Sequence, residues 1–501
     1  MRILTSLLCA LALAACAAQR PAPTPPAAAA AAADAADAGE ARRLLAQALQ
    51  QARAHDYVQA DTTVTHLLAD PGFAALAAPE RHQGLSLGAM LAMESHDPRR
   101  AQTLAVQACQ MHEAQSYDWL LRVESGIAAG DGADVVLASE VVAERWPELL
   151  PQSLQGLDGA GEALRYQVLS ALLAFSMAHE PLAASGWWRD LALLQLARGE
   201  RSAAVATLGR IQNAYVAVSV AADRRFDPVW PQVQERLNVE NTAQRAIDAA
   251  AKRAQANPDR LQPLNELAVL LGDSLLLEQV LQVADSAIEQ VSKWGASAYA
   301  DYDPEYSQLL DQRAQVLAAT GRWDAALIQL QAASQLPENG ADNVSQVIDL
   351  AALYNDLGRS AEARATLARL KPDNTSAVGI MQSQKEALRA ALATGDAAAA
   401  EAALQFLGTH RAEALDVYQE ALLVAGHEEA GAKLMIERLG NPRTRSSALL
   451  AVQSYEEVAL TPVQQSERQR WQALLSRADV REAVGRVGRV ASYRLAGDNY
   501  Y

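Results

Sequence analysis

A glycine that returns at a fixed step between two helix-length apolar patterns restricts the fold more than any other feature. Residues 308–337, QLLDQRAQVLAATGRWDAALIQLQAASQLP, and 347–372, VIDLAALYNDLGRSAEARATLARLKP, place apolar residues at three- and four-residue steps on both sides of it. The step from Gly321 to Gly358 is 37 residues, and another 37 gives Gly395 in ALRAALATGDAAAAEAALQFL. An earlier copy, WWRDLALLQLARGERSAAVATLGRI, carries Trp188, Leu191, Ala192, Gly199, Ala204 and Leu208. Breakers such as Asp97-Pro98, Asn257-Pro258 and Asn441-Pro442 divide the rest into helices of about 12–16 residues, and strand-type alternation is almost absent. A two-helix unit cannot bury its own apolar face, but a stack of them can. Contacts then stay local, and the 5% of aromatic residues in a 501-residue chain suffices.

These units resemble the tetratricopeptide repeat, a helix hairpin whose pattern wants Trp, Leu, Gly or Ala and Tyr on helix A, a turn glycine, then small and apolar residues on helix B. The Val347 unit, with Leu350, Ala351, Tyr354, Gly358, Ala363 and Leu367, matches best. The Trp188 unit departs only at Gln195, and the Gly321 unit has Arg313 where a leucine belongs. Weaker copies stand at His55-Asp56-Tyr57, near Gly130 and at Gly426. The fold class this implies is all-α: an α-solenoid of tetratricopeptide-like helix hairpins, preceded by an N-terminal signal and a disordered tether. Small residues are expected where helices cross, since a larger side chain there overpacks by about 1–3 kcal/mol.

The start of the chain reads as a targeting signal. Arg2 precedes an apolar run, Ile3 to Ala12, too short to span a bilayer. Leu13-Ala14-Ala15-Cys16 resembles the bacterial lipobox, which implies cleavage before Cys16 and its lipidation. Two or more acyl chains anchor a protein stably. Ala17, in place of the aspartate that marks inner-membrane retention in Gram-negative lipoproteins, implies the outer membrane. Of the three cysteines, Cys9 leaves with the signal, so Cys109 remains without an intramolecular partner and is expected as a small buried hydrophobe. Residues 20–39, RPAPTPPAAAAAAADAADAG, cannot form a core and read as a tether. The expected organisation is a signal over 1–15, a lipidated Pro/Ala-rich tether over 16–39, helical arrays over 40–226 and 227–440, and capping helices with a tail over 441–501. DRRFDPVWP, 223–231, is expected to join the arrays. SKWGASAYADYDPEY, 292–306, reads as a Tyr-rich insertion packed on its own array, with a binding loop around Trp294, Tyr299, Tyr302 and Tyr306 as the alternative.

A formal charge of −16 argues against nucleic acid and anionic headgroups as partners. GLSLG at 84–88 fits a nucleophile elbow around Ser86, but it lies inside a helical pattern where that chemistry needs a strand-to-helix turn. The histidines are scattered without a zinc spacing. Asp301-Tyr302-Asp303-Pro304-Glu305 hints at a calcium loop, but Tyr306 stands where a glycine is needed. No cofactor and no metal ligand set is expected.

The resemblance implies that helix A lines a groove for a peptide or partner helix. Carried over by register, it puts Arg189 and Asp190, Asp311 and Gln315, Asp349 and Asn355, and Lys385 and Arg389 on that face. Lys385 and Arg389, four apart, share a face and suit a carboxylate, although only a fragment of the family's carboxylate-clamp pattern is present. The expected function is non-catalytic: a periplasmic scaffold on the outer membrane that binds another envelope protein. A hydrolase using Ser86 and a structural spacer without a ligand are the alternatives.

Overall fold

The computed structural model describes residues 28–175, 184–337, 340–371 and 375–497, with side chains from 38 onward. The lipobox, Cys16 and the first part of the expected tether lie outside the described residues. From Ala28 the alanine stretch is helix, continuous with the first hairpin, because a run of the strongest helix former needs no core to adopt that conformation. The chain separates into two compact units, 1–207 and 208–501. No helix among the described residues is long and apolar enough to cross a membrane.

In the first unit α1 (Ala28–Arg53) pairs with α2 (Tyr57–Ala69), α3 (Ala78–Glu94) with α4 (Pro98–Cys109), and α5 (Ser116–Ala129) with α6 (Gly132–Arg145). After short turns come α7 (Glu162–Ala174), α8 (Ala184–Ala197) and α9 (Arg201–Leu208). Val64, Leu87, Leu91, Leu104 and Leu121 form a core shared by three successive hairpins. Trp188, Leu191, Ala192, Ala204 and Leu208 are all buried, as the repeat pattern requires. Gly126 lies where α5 crosses α6, and a Cβ there would meet Val135 at 2.8 Å.

The second unit opens with α10 (Ala214–Ala222) and α11 (Val239–Ala256). Five hairpins follow: α12 (Gln262–Asp273) with α13 (Leu277–Trp294), α14 (Tyr302–Ala319) with α15 (Trp323–Ala333), α16 (Ser345–Asp356) with α17 (Ser360–Leu367), α18 (Ala377–Ala393) with α19 (Ala397–Thr409), and α20 (Leu415–Val424) with α21 (Glu428–Gly440). Their A helices, α12, α14, α16, α18 and α20, contact one another in series. The last elements are α22 (Arg445–Ala451), β1 (Ser454–Glu456), α23 (Pro462–Ser476), α24 (Ala478–Val487) and β2 (Ser492–Ala496), and β1 pairs with β2 in parallel.

One turn design joins the hairpins. One or two positions past the end of each A helix a residue has a positive φ: His55, His96, Gly130 and Gly199 in the first unit, Leu275, Gly321, Gly358, Gly395 and Gly426 in the second. At each of these nine turns the following N–H bonds the carbonyl five residues back, as in Arg359 to Tyr354 at 2.7 Å and Asp97 to Ala92 at 2.8 Å. This is the Schellman closure, and it needs a left-handed residue that glycine supplies without strain.

Two expectations change here. Residues 223–231 do not join the arrays: the break falls at Thr207/Leu208, and Phe226 is fully buried inside the second unit. The end of the chain does more than cap. α23 packs across α16, α20 and α21, α24 packs on α21, and α22 packs on α10. The Arg489 N–H donates to the carbonyl of Ala222 at 2.9 Å, and Asp223 bridges Gly488. A Cβ on Gly488 would stand 2.7 Å from that same Ala222 oxygen, so only glycine fits this closure. The second unit is therefore an array whose end returns to its beginning. Periodicity cannot show this, because the contacts join residues more than 260 positions apart.

Candidate docking site

The A-helix faces of the second unit enclose, with the returning chain end, a cavity of about 1210 Å³. Residues of α14, α16, α18 and α20 form one wall, and β1, α23 and α24 form much of the other. Trp323, Ile348, Leu353, Trp471 and Leu475 contribute apolar surface, and most charged groups sit on the A-helix wall.

Of the eight residues expected in a groove, five line this cavity: Asp311, Gln315, Asp349, Lys385 and Arg389. Asn355 is buried behind it. Its Nδ2 donates to the backbone carbonyl and to Oε2 of Glu386, each at 2.9 Å, stapling α16 to α18. Asn265 staples α12 to Glu305 of α14 in the same way. Arg189 and Asp190 belong to the first unit, where they pair with each other at 2.9 Å and Asp190 also meets Arg165 of α7 at 3.6 Å.

The two cations are already engaged. Arg389 bonds Asp356 at 2.5 Å, Glu386 at 2.9 Å, and both carboxylate oxygens of Glu467 on α23 at 2.9 Å. Burial opposes its charge, but Glu386, Asp356 and Glu467 outweigh that and raise its pKa well above the usual value. Lys385 bonds Glu420 at 2.7 Å and lies 3.7 Å from Glu386. Burial likewise opposes the ammonium, and the two carboxylates override it. Three carboxylates on one guanidinium is an excess: burial holds Asp356 up at about 6 despite Arg389. Gln464 of α23 donates to the other oxygen of Asp356 at 2.9 Å.

Asp311 and Asp349 form a second cluster on the same wall. Their carboxyls hydrogen-bond each other, and Gln346 and Gln315 also bond Asp311. Burial pushes Asp311 up to about 6. Burial and the facing Asp311 hold Asp349 well above the carboxylate range, with Lys385 opposing. Gln315 Nε2 reaches Asp311 at 3.4 Å, while its buried Oε1 has no hydrogen-bond partner.

Ser86 is 1% exposed on α3, and its Oγ donates to Asp118 Oδ1 at 2.6 Å. His82 Nε2 meets Asp118 Oδ2 at 2.8 Å, and the Gln115 N–H donates to that oxygen at 2.8 Å. The carboxylate stands between serine and histidine, so the imidazole has no contact through which to take the serine proton. The trio ties α3 to α5. Cys109 is buried, and burial with the neighbouring Asp118 pushes its thiol up to about 12. The Asp301 carboxylate accepts from the Leu261 N–H at 2.7 Å and the Gln262 N–H at 3.1 Å, capping α12. The Tyr-rich insertion buries Tyr299 and stacks Tyr302 on Tyr306 at 4.9 Å, leaving Trp294 67% exposed. Among the described residues, no three His, Cys, Asp or Glu side chains converge to hold a metal ion.

No family model matches the chain, and no curated protein matches it. Solved structures similar to it include a Rap protein complexed with competence and sporulation factor (14% identity, 79% of this chain and 99% of that one, TM-score 0.31). Yeast Tom70 is another (14%, 81% and 98%, TM-score 0.32), as is the Cut9–Hcn1 hetero-tetramer of APC/C (11%, 90% and 96%, TM-score 0.23). The assignment of the fold as tetratricopeptide-like hairpins rests on the turns and burial described above.

Proposed function

We propose that this protein is a non-catalytic docking scaffold, anchored to the periplasmic face of the outer membrane through lipidated Cys16, that holds a segment of another envelope protein in the cavity of its second unit. The cavity carries the reading. It exceeds the about 300–1,000 Å³ of small-ligand pockets, and consecutive A helices line it with side chains of several chemistries. The lipobox-like LAAC supports the anchor.

Two experiments test this. Cys16→Ala releases the protein from the membrane fraction if the anchor is real, and membrane retention contradicts it. A photo-cross-linking residue at Gln315 or Gln382, both lining the cavity, captures one recurrent envelope protein in cells. That adduct disappears when Ala352→Trp fills the space. The absence of any adduct favours a spacer without a ligand.

A further inference from the structure

On the A-helix wall of the cavity the charge does not balance. The A-helix wall presents Asp311, Asp349, Asp356, Glu386, Asp416 and Glu420 against only Lys385 and Arg389. The chain's own α23 adds a further carboxylate there, Glu467, placed on Arg389, while its Arg470 sits at the end of α20 on backbone carbonyls. Both wall cations are thus consumed at one end. The rest of the lining carries five arginines, none of them bonded to Asp311 or Asp349. Arg468 bonds Glu457, Arg470 donates to the carbonyls of Leu423 and Val424, and Arg224 donates to those of Gly485 and Gly488. Arg489 pairs with Asp227, and Arg481 is solvent-exposed.

What remains is the end of the cavity at Asp311, Asp349 and Gln315. Two carboxyls there face each other with no bonded cation, Lys385 being held by Glu420. Beside them the amide oxygen of Gln315 is buried with an unused lone pair. A buried acceptor without a donor is costly, and two adjoining carboxyls that burial disfavours add to that cost. One guanidinium or ammonium supplies several donors and a compensating charge at once.

We propose that the cavity takes a basic segment of a partner protein, with an Arg or Lys cation seated against Asp311, Asp349 and Gln315 Oε1. This rests on the docking reading above and names its ligand. The volume and the apolar surface of Ile348 and Leu353 beside the acids suit a peptide chain better than a bare polyamine.

Fluorescence anisotropy on the full chain at physiological salt tests it, with labelled nona-arginine and nona-glutamate as probes. Nona-arginine binds and nona-glutamate does not. The variant D311N/D349N keeps the fold, since it removes only charges that burial disfavours, and weakens nona-arginine binding about tenfold or more. The control E278Q/E428Q removes two exposed acids elsewhere on the unit and leaves binding within about twofold, which separates a seated cation from attraction by net charge. Equal losses in the two variants overturn the proposal, as does failure of nona-arginine to bind. Displacement of the peptide by equimolar spermine overturns the assignment to a protein segment. Preferential binding of nona-glutamate overturns the ligand class but leaves the docking reading to its cross-linking test.

Discussion

Asp118 in the first unit and the Asp311–Asp349 pair in the second are both carboxyl groups buried between A helices, yet their surroundings differ. Asp118 accepts from Ser86, the Gln115 N–H and His82, and it lines no part of the cavity. Asp311 and Asp349 meet each other, have no bonded cation, and border a cavity beside an unsatisfied amide oxygen. A buried acid whose bonds are all made inside the fold holds helices together. One that meets a second acid instead of a cation, next to open space and an unsatisfied amide oxygen, suits a cation that arrives later.

The contrast breaks most visibly by removing the satisfied acid. Asp118→Ala strands a serine hydroxyl, a histidine and a backbone N–H, and costs about 3–5 kcal/mol. Amide exchange of α3 and α5 should accelerate accordingly, and unchanged exchange would mean the network is idle. Gly488→Ala attacks the enclosure of the other cluster. Its Cβ cannot coexist with the Ala222 carbonyl, so it costs about 2–3 kcal/mol, read as a lower midpoint in urea unfolding of the second unit.

Opposite in sign is Asp311→Asn. Folded Asp311 keeps its proton up to about pH 6, whereas the unfolded side chain loses it near 3.8. The folded state therefore binds more protons between those values, and stability falls as pH rises through that window. The asparagine variant should gain about 1–3 kcal/mol at pH 8 and nothing at pH 3.5, with Asp349, Glu386 and Lys385 the charged neighbours that modulate it. A pH-independent difference would contradict the burial argument. The smallest effect concerns the turns. His96 holds a left-handed conformation that glycine adopts freely, so His96→Gly raises stability by about 1 kcal/mol in the same urea assay, and a loss would show that its ring contributes.

The turns also mark how far the sequence reaches. Gly199, Gly321, Gly358 and Gly395 are legible because each is glycine at a repeating step, and their helices bury most of the residues the pattern names, Leu367 being only partly covered. His96 and Leu275 do the same work without the tell-tale residue. For His55 and His96 a signal was present: each is followed by an aspartate that caps the next helix, as Gly130 and Gly395 are. Leu275 carries no such mark. In the candidate site, register brings five residues to one cavity, but it cannot say that Arg389 is taken by Glu467, 78 positions later, or that the arginine-rich end returns to residues 222–227. Those facts depend on where a remote segment packs, and no local pattern encodes that.

On this proposal the second unit, through an acid pair that no cation bonds, receives a basic chain segment while the first does not. Amide hydrogen exchange of the full chain with and without nona-arginine measures both units at once. The account predicts slowed exchange in α14 and α16 around Asp311 and Asp349, with α3 and α5 unchanged. Protection centred on the first unit, or none anywhere at saturating peptide, would contradict it.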